Sequence, residues 1–359
     1  MSAMHKDIFM YYSFKIRCLN LLIYNFPIIH DMAISPSNFF IMRYTLHYLS
    51  LFLLCSLLVA CSSSDQATAT EYPDPITEQA VGEELVARYS LAQWSFNRDL
   101  FAGKMTTQDF VKAAGEMGFE GVEYVSQFFQ DKVEDDIYLD GLAAAAKQAG
   151  VKSLMIMIDG AGNLGASDLS ERDLAVKEHL KWVRAAKRLG CPVIRVNAHG
   201  DGTPEAIKAA CLDGIGRLAE AAAPEGVQII IENHGGISND GAWLADLVRQ
   251  LQPLGVGSLA DFDNWCTERE NGQIWGAPCT KRYDRYQGLR ELMPYAESVS
   301  VKAFKFDAEG NETVMDYKAL FKIIRAAEYD GYLGIEYEGD ELSSREGIEK
   351  TLALAKRSW

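Results

Sequence analysis

The sequence predicts one (β/α)8 barrel over residues 85–359, and two observations lead to that fold class. An alanine-rich helical segment, a glycine and a short apolar run recur five times in this order, for example in AAKRLGCPVIRVNA and AAAPEGVQIIIEN. Glycine adopts the left-handed conformation that ends a helix at little cost, and β-branched runs suit parallel strands that are covered on both faces. Strand-like runs number eight, at intervals of about 30 to 40 residues, as eight βα units require.

The predicted strands and helices alternate along this part of the chain. The strand candidates are residues 89–94, 121–125, 151–158, 192–198, 227–233, 257–262, 298–303 and 332–337. Residues that favour the start of a helix lie between them, namely Thr106 with Thr107, Ser170, Thr203 with Pro204, and Asp316. An open doubly wound sheet is the alternative. It would be expected to carry G-x-G-x-x-G after its first strand, and LAQWSFNRD has no such motif.

The first 84 residues are predicted to form three segments outside the barrel. Residues 42–60 combine Arg43 with an apolar run from Leu49, which is typical of a secretory signal. The run ends in LVAC, residues 58–61, which resembles the lipobox of bacterial lipoproteins, where cleavage exposes a cysteine that then carries lipid. Residues 61–84 are polar and predict a flexible tether. Residues 1–41 precede these segments as a leader of uncertain role, and a merely hydrophobic N-terminal helix is the alternative to the signal.

This organisation predicts an exported protein that is anchored to a bacterial membrane by lipid on Cys61, at its periplasmic or cell-surface face. In an oxidising compartment Cys266 and Cys279, which flank CTERENGQIWGAPC, are expected to form a disulfide, with two unpaired thiols as the alternative. The net charge is −15, and no cluster of lysines and arginines offsets it. Nucleic acid is therefore not expected as a partner, and the oligomeric state is left open.

Polar residues recur at every second position near the ends of the five later strand candidates. They are Arg195, Asn197 and His199; Glu232 and His234; Asp261 and Asp263; Ser300 and Lys302; and Glu336 and Glu338. Alternate residues of a strand share a face, and barrel enzymes place their sites at the carboxyl ends of the strands. Each residue taken singly could instead be a helix cap or an ion-pair partner. Together they predict one polar mouth.

Carboxylates that gather in a confined mouth repel one another unless protons or a cation intervene. A divalent metal is the simplest remedy, and Glu232, Asp261 and Glu336 are its predicted ligands. Oxygen ligands favour Mn²⁺ or Mg²⁺, whereas a histidine in the shell would also admit Zn²⁺ or Fe²⁺. A divalent metal ion is therefore the predicted cofactor.

The chain from about Tyr89 onward resembles the xylose isomerase-like sugar isomerase and epimerase superfamily, which also includes endonuclease IV-type enzymes. The motifs that carry the resemblance are GFEGVE at 118–123, IIIENHGG at 229–236, SLADFDNW at 258–265, MPYAESVSVKAF at 293–304 and YLGIEYEG at 332–339. The resemblance implies that Glu232, Asp261 and Glu336 hold one metal, and that the two glutamates exchange a proton with the substrate.

Two positions depart from the family pattern. Ser300 stands where the family usually has a histidine ligand, and Asn264 stands where a histidine often follows the strand-six aspartate. His199 or His234 could complete the metal shell instead. Alternatively, Lys302 could hold an oxyanion and replace part of the cation's charge. His179 is expected to face solvent from the middle of a helix.

A carboxylate beside a polarised carbonyl suits removal of the proton α to that carbonyl, and the metal or Lys302 would stabilise the enediolate oxygen. Glu232, Glu336 and Lys302 are the predicted catalytic residues. The predicted substrate contacts are Glu123, Asn197, His199, His234, Asn264 and Trp94.

The predicted function is a sugar isomerase or epimerase that acts on an unphosphorylated sugar, because neither a glycine-rich phosphate cradle nor a basic cluster is visible. A lyase or hydratase of 3-keto-glycosides is one alternative, since the same proton abstraction leads to elimination when a leaving group is adjacent. A non-catalytic carbohydrate-binding lipoprotein is another. A nuclease of the endonuclease IV kind would need more histidines and a basic groove.

Overall fold

Eight parallel strands close into one barrel in the computed structural model, which describes residues 85–359. The barrel strands are β1 (Arg88–Ala92), β2 (Gly121–Val125), β3 (Lys152–Met157), β4 (Val193–Asn197), β5 (Gln228–Glu232), β6 (Gly257–Asp261), β9 (Ala296–Ala303) and β10 (Tyr332–Tyr337). A two-stranded antiparallel sheet of β7 (Cys266–Arg269) and β8 (Cys279–Arg282) stands apart between β6 and β9 in the chain. The predicted (β/α)8 barrel is confirmed, and each of the eight strand candidates forms a strand of it.

Helices follow the barrel strands and cover them from outside. They are α1 (Asn97–Phe101), α2 (Thr107–Glu116), α3 (Asp136–Ala149), α4 (Leu169–Leu189), α5 (Pro204–Ala222), α6 (Gly241–Leu251), α7 (Arg285–Leu292), α8 (Tyr317–Ala326) and α9 (Ser344–Ser358). Three predicted helix starts are confirmed, since Thr106, Thr203 and Asp316 each cap a helix with the side chain. The start predicted at Ser170 is wrong, because Asp168 caps α4 by accepting a hydrogen bond from the Glu171 N–H at 2.9 Å.

The apolar interior has two parts. The larger part lies between strands and helices and includes Phe110, Tyr124, Trp182 and Phe321. The smaller part consists of Ala92, Val125, Met155, Met157, Ile230 and Leu259. These six share the strand parity of the polar mouth residues, so they fill the barrel lumen beneath the mouth.

Strand register brings the predicted site residues to one level of the barrel. Asn197 is paired with Glu232 across β4 and β5, and Asp261 with Ser300 across β6 and β9. Lys302 is likewise paired with Glu336 across β9 and β10. Neighbouring strands in parallel register direct side chains of the same parity to the same face. The predicted convergence on one mouth follows from this register.

Residues 266–282 form a hairpin that the strand predictions did not include, and the name hairpin is used for this segment below. Cys266 and Cys279 are joined by a disulfide with a Cα–Cα distance of 5.9 Å, as predicted. Asp263, just before it, pairs with Arg285 at 2.8 Å and with Arg282 at 3.1 Å. Cys191 and Cys211 are buried free thiols.

The predictions for the leader (1–41), the signal peptide (42–60) and the tether (61–84) concern residues outside the described range, and they stay predictions. Among residues 85–359, no helix is long and apolar enough to span a membrane. The prediction for His179 is wrong. Its side chain is buried in α4, and Nδ1 lies 2.8 Å from the carbonyl oxygen of Ala175, one helical turn earlier.

Candidate active site

A cavity of about 440 Å³ opens at the carboxyl ends of the barrel strands. Eight of the predicted site residues line it, namely Trp94, Asn197, His199, Glu232, His234, Asn264, Lys302 and Glu336. The cavity wall also includes Gln127, Asp159, Arg195, Trp275 and Glu338. Two predicted residues, Asp261 and Glu123, lie behind this wall rather than in it.

One side of the cavity is built around Lys302, and we name Lys302, Asp261, Glu336 and Glu338 the lysine cluster. The Lys302 ammonium Nζ lies 3.2 Å from Asp261 Oδ2, 3.5 Å from Glu336 Oε2 and 3.1 Å from Glu338 Oε1. Burial disfavours the charged ammonium, but the three carboxylates overcome this effect and hold the pKa of Lys302 well above its usual range. Lys302 is therefore a buried, permanently charged cation at the mouth.

Neighbouring polar groups fix two carboxylates of the lysine cluster. Asp261 Oδ1 accepts hydrogen bonds from the backbone N–H groups of Asp263 and Asn264, both at 2.8 Å. Ser300 donates its hydroxyl hydrogen to Glu336 Oε2 at 2.7 Å. Hydrogen bonds to an ionised carboxylate are stronger than neutral ones. Asp261 is thus held by the backbone that follows its own strand, and Glu336 by a serine of the neighbouring strand β9.

The opposite side is built around Arg195, and we name Arg195, Asp159 and Glu232 the arginine cluster. Arg195 Nη1 lies 2.9 Å from Asp159 Oδ1, and Arg195 Nε lies 2.8 Å from Glu232 Oε2. Arg195 also donates to Asn197 Oδ1 at 2.9 Å. Burial would raise the pKa of Asp159, but the guanidinium and the hydrogen bonds from Arg195 and Asn197 hold that pKa well below its usual range. Asp159 is therefore ionised at neutral pH.

Two glutamates of the mouth have raised pKa values. Burial raises the pKa of Glu232 to about 8, even against the attraction of Arg195. Burial also raises the pKa of Glu338 to about 7, against the attraction of Lys302. Carboxyl groups with pKa values near neutrality are found where proton transfer is needed. Glu232 also accepts a hydrogen bond on Oε1 from the Asn264 amide at 3.1 Å.

A pair of histidines forms the wall next to the arginine cluster. Nε2 of His199 lies 2.7 Å from the backbone oxygen of His234, and Nδ1 of His234 lies 3.0 Å from Asn197 Oδ1. Both acceptors are oxygens, so each of these ring nitrogens carries the hydrogen. Burial lowers the pKa of both histidines, that of His234 well below its usual value. The pair is therefore neutral at pH 7, with one ring nitrogen of each held by the protein.

The hairpin adds an aromatic wall to the cavity. The Trp275 ring lies 4.6 Å from the His234 ring, measured between centroids. Gly235 permits this approach, since a Cβ there would lie 2.7 Å from side-chain atoms of both Ile274 and Trp275, and its φ of +91° is accessible to glycine at little cost. Trp94 lines the cavity as predicted and packs against Phe128.

Glu123 requires a correction, because it was predicted to contact the substrate. Its side chain is buried and accepts a hydrogen bond from Ser90 at 2.5 Å. A Cβ at Gly334 would lie 2.6 Å from Glu123 Oε1, so the carboxyl group occupies the lumen against the backbone of β10. Burial raises the pKa of Glu123 to about 7. Glu123 therefore belongs to the interior beneath the cavity.

The three predicted metal ligands are each paired with a cation of the protein. Glu232 pairs with Arg195, and both Asp261 and Glu336 pair with Lys302. Among the described residues, no group of three His, Cys, Asp or Glu side chains is placed to hold a metal ion. The carboxylates converge as predicted, but as they are arranged the donor set does not fit a divalent cation. The metal stays a prediction, and no step below passes through it.

Sequence reasoning placed Arg195 at a strand end without giving it a role, and it missed Asp159. Asp159 follows β3 at the same parity as Met155 and Met157, so the alternation was present in SLMIMID. The signal was not used because β3 itself is apolar up to its end. Trp275 reaches the cavity wall because the hairpin brings it back over the mouth.

A closed parallel barrel with carboxylates, a lysine and neutral histidines at its carboxyl-end mouth defines an enzyme-type (β/α)8 barrel with a small-molecule site. More particularly, the chain belongs to the family described as "Xylose isomerase-like TIM barrel", whose family model matches residues 111–357. This confirms the resemblance noted from the motifs. The predicted enzyme class, isomerase- or epimerase-like, agrees with the similar proteins below.

Three similar proteins show the range of this fold. A protein of Mus musculus named "Putative hydroxypyruvate isomerase" is 26% identical over 247 residues, which cover 63% of this chain and 81% of that protein. The 3-keto-D-glucoside 4-epimerase of E. coli has a TM-score of 0.56 at 18% identity, over 76% of this chain and 100% of that chain. The D-psicose 3-epimerase of Clostridium cellulolyticum H10, solved with D-tagatose, has a TM-score of 0.57 at 13% identity, over 76% and 99%.

Proposed function

We propose that the protein is a sugar isomerase or epimerase that moves a proton at the carbon next to a carbonyl of an unphosphorylated sugar. One observation carries the proposal. Glu232 of the arginine cluster and Glu336 of the lysine cluster line the same cavity, and the buried Lys302 ammonium lies 3.5 Å from Glu336. Two carboxyl groups and one cation in a confined cavity are the groups that such a proton transfer requires.

In the proposed reaction one of the two glutamates, as carboxylate, takes the proton from the carbon α to the carbonyl. The electron pair of the broken C–H bond forms the C=C bond of an enediolate, and the negative charge moves to the former carbonyl oxygen. Lys302 stabilises that oxygen by its charge. In epimerisation the second glutamate, as carboxylic acid, returns a proton to the opposite face of the same carbon, and the carbonyl re-forms from the oxyanion. In isomerisation it protonates the former carbonyl carbon instead, while the hydroxyl proton of the α carbon moves to the oxyanion, so that the new carbonyl forms at the α carbon.

The surroundings of the two glutamates support this division of roles. The pKa of Glu232 is raised to about 8, so at neutral pH this group is mostly protonated and can donate. Glu336 instead accepts a hydrogen bond from Ser300 at 2.7 Å and lies 3.5 Å from the Lys302 ammonium. Environments that differ in this way separate an acid from a base. We therefore propose Glu336 as the first base and Glu232 as the first acid.

The remaining wall suits a hydroxyl-rich ligand. Asn197, His199, His234 and Asn264 offer polar groups, and Trp94 and Trp275 offer aromatic faces. The two cations in the cavity wall, Arg195 and Lys302, are both paired with carboxylates. A phosphate group would meet this excess of negative charge, which supports an unphosphorylated sugar. The names of the similar proteins, a hydroxypyruvate isomerase and two sugar epimerases, support the same reaction class.

Exchange of hydrogen with solvent tests the proposal. The full-length protein is incubated in deuterated water with D-psicose, D-fructose, D-tagatose and a 3-keto-glucoside, and recovered sugars are analysed by mass spectrometry and NMR. We expect deuterium at the carbon next to the carbonyl, and we expect Glu336→Gln, which removes the proposed base, to abolish this exchange. Glu220→Gln is the matched control, because Glu220 is exposed on α5 and does not line the cavity.

The other outcomes separate the competing functions. Release of the glycosidic group from the 3-keto-glucoside would favour a lyase over an epimerase. Binding of sugars without exchange, elimination or conversion would indicate a carbohydrate-binding protein and would refute the proposed catalysis.

A further inference from the structure

Four side chains of the mouth place a positive charge or a hydrogen-bond donor next to its carboxylates. Lys302 contacts Asp261 and Glu336, and Arg195 contacts Glu232. Ser300 donates a hydrogen bond to Glu336. Asn264 donates a hydrogen bond to Glu232 at 3.1 Å. Each of the three carboxylates that could serve as metal ligands is therefore already neutralised or hydrogen-bonded by the protein.

Ser300 and Asn264 are informative because they stand at the two positions where a histidine was expected from the motifs. A neutral imidazole would present a lone pair to a metal. Ser300 and Asn264 instead turn a hydrogen toward a carboxylate at 2.7 Å and 3.1 Å. Both departures change the site in the same direction: they remove a metal ligand and add a donor that satisfies an oxygen.

The oxygens that lack a hydrogen bond lead to the same conclusion. Glu232 Oε2 and Asp261 Oδ2 are buried and accept no hydrogen bond of good geometry. Each nevertheless faces a protein cation, Arg195 Nε at 2.8 Å and Lys302 Nζ at 3.2 Å. A divalent ion bound to these oxygens at about 2.0–2.2 Å would lie against an ammonium or a guanidinium. The repulsion between like charges in a buried site disfavours such an ion.

We propose that this site takes no resident divalent cation, and that Lys302, framed by Arg195, supplies the positive charge that would otherwise come from a metal. One part of this inference rests on the proposed function, namely that Lys302 faces the oxyanion of the sugar. The statement about metal binding can be tested without any substrate.

Metal content gives the first test. The full-length protein is purified without chelators, its metals are quantified by mass spectrometry, and it is titrated calorimetrically with MnCl2, ZnCl2, CoCl2 and MgCl2. We expect well under one equivalent of any metal and no saturable heat of binding. One equivalent of a single metal that is lost in Glu232→Gln would overturn the proposal.

A designed variant gives the second test. In Lys302→Met/Ser300→His the competing ammonium is removed and an imidazole is added next to Asp261 and Glu336. This variant is expected to bind Mn²⁺ or Zn²⁺ and to melt several degrees higher in the presence of that metal. The matched control is Lys305→Met, since Lys305 is exposed and pairs only with Glu341 at the surface. The control and the wild type should show no metal-dependent rise.

A folded double variant that binds no metal would show that Lys302 and Ser300 are not what excludes the ion, and this outcome would refute the inference. Should the double variant fail to fold, the metal content of the wild type still decides. The assay of hydrogen exchange separates this inference from the function. Exchange that survives treatment with EDTA supports it, and exchange lost with EDTA and restored by Mn²⁺ contradicts it. Absence of exchange under every condition refutes only the proposed function.

Discussion

The two sides of the mouth neutralise buried carboxylates in different ways. In the lysine cluster one ammonium is shared by three carboxylates, from β6, β10 and the residue that follows β10. In the arginine cluster one planar guanidinium is fixed between two carboxylates, and it also donates to Asn197 and to the backbone oxygen of Ile158. Lysine is a point charge on a flexible stem, whereas arginine holds its partners in a fixed geometry.

This difference indicates a division of labour. Besides its two ion pairs, the Arg195 guanidinium donates to the oxygens of Asn197 and Ile158, so the arginine cluster acts as a frame that orients Glu232 and Asn197. The lysine cluster carries more negative charge than its single cation can balance, and burial raises the pKa of Glu338 there to about 7. A proton that is exchanged near neutral pH and an ammonium close by are what a reacting oxygen needs. We therefore expect changes at Lys302 to affect the chemical step and changes at Arg195 to affect geometry.

Loss of the lysine should have the largest effect. Lys302→Gln removes the charge that faces the oxyanion, and we expect kcat to fall by about 10³-fold, the usual consequence of removing a main electrostatic stabiliser. Steady-state kinetics of sugar conversion would measure it. Lys305→Gln serves as the control, because Lys305 lies at the surface. An unchanged kcat in Lys302→Gln would refute the role of the lysine cluster in the chemical step.

A buried histidine behind the arginine cluster should make stability depend on pH. Burial lowers the pKa of His179 to about 4, so the folded protein keeps this ring neutral while the unfolded chain takes up a proton below about pH 6.5. The stabilisation is complete above pH 6.5 and is lost as the pH falls toward 4. The shift corresponds to about 3 kcal/mol of unfolding free energy.

Denaturant unfolding of the wild type and of His179→Phe, measured at several pH values, checks this expectation. Carboxylates also titrate in this range, but they do so in both proteins. The two proteins should therefore differ in how steeply the unfolding free energy falls with pH, and this difference isolates His179. An equal pH dependence would mean that the ring is charged or exposed in the folded state.

Exchange of one cation for the other tests the geometric role of the frame. Arg195→Lys keeps the charge but cannot contact Asp159 and Glu232 at the same time through a rigid fork. We expect kcat/KM to fall about tenfold, mainly through misorientation of Glu232. Arg249→Lys is the control, since Arg249 forms an exposed pair with Asp246. Full activity of Arg195→Lys would show that the fixed geometry of the arginine cluster is not needed, and it would contradict the role of that cluster as a frame.

The wall formed by the hairpin should contribute the smallest effect. Trp275→Ala removes an aromatic face worth about 1 kcal/mol, which corresponds to about a fivefold rise in KM with little change in kcat. Trp275→Phe should restore most of the affinity. A fall in kcat instead of a rise in KM would place Trp275 in the chemical step and would contradict its assignment to the wall.

Much of the fold could be predicted from the sequence because five junctions repeat the order of helical segment, glycine and apolar run, which is a local signal. The mouth was also predictable, since period-two parity fixes which residues point into it: Glu232, Asp261, Lys302 and Glu336 converge as expected. The pairing could not be predicted. Whether Arg195 contacts Glu232 or Lys302 contacts Asp261 depends on side-chain rotamers that only the closed barrel determines.

Two other features were beyond local signals. The helix start at Asp168 was missed because Ser170, two residues later, is an equally good capping type. The hairpin has short strands without clear alternation, and its position over the mouth depends on contacts far away in sequence, such as the Asn239 amide donating to the Cys266 oxygen at 2.8 Å. The spacing of Cys266 and Cys279 predicted the disulfide, but it did not predict that the hairpin forms part of the cavity wall.

The covalent closure of the hairpin keeps the aromatic wall of the cavity apart in the chain from the residues of the proposed chemistry. The excursion from Cys266 to Cys279 spans a sequence separation of 13, and apart from Trp275 every cavity residue named above lies outside it. A loop that is closed at its base by a disulfide can change length or composition while the eight barrel strands keep their register. Diversified versions of this short insert, transplanted between related barrels, would then be a route to altered sugar preference with the proton-transfer machinery left intact.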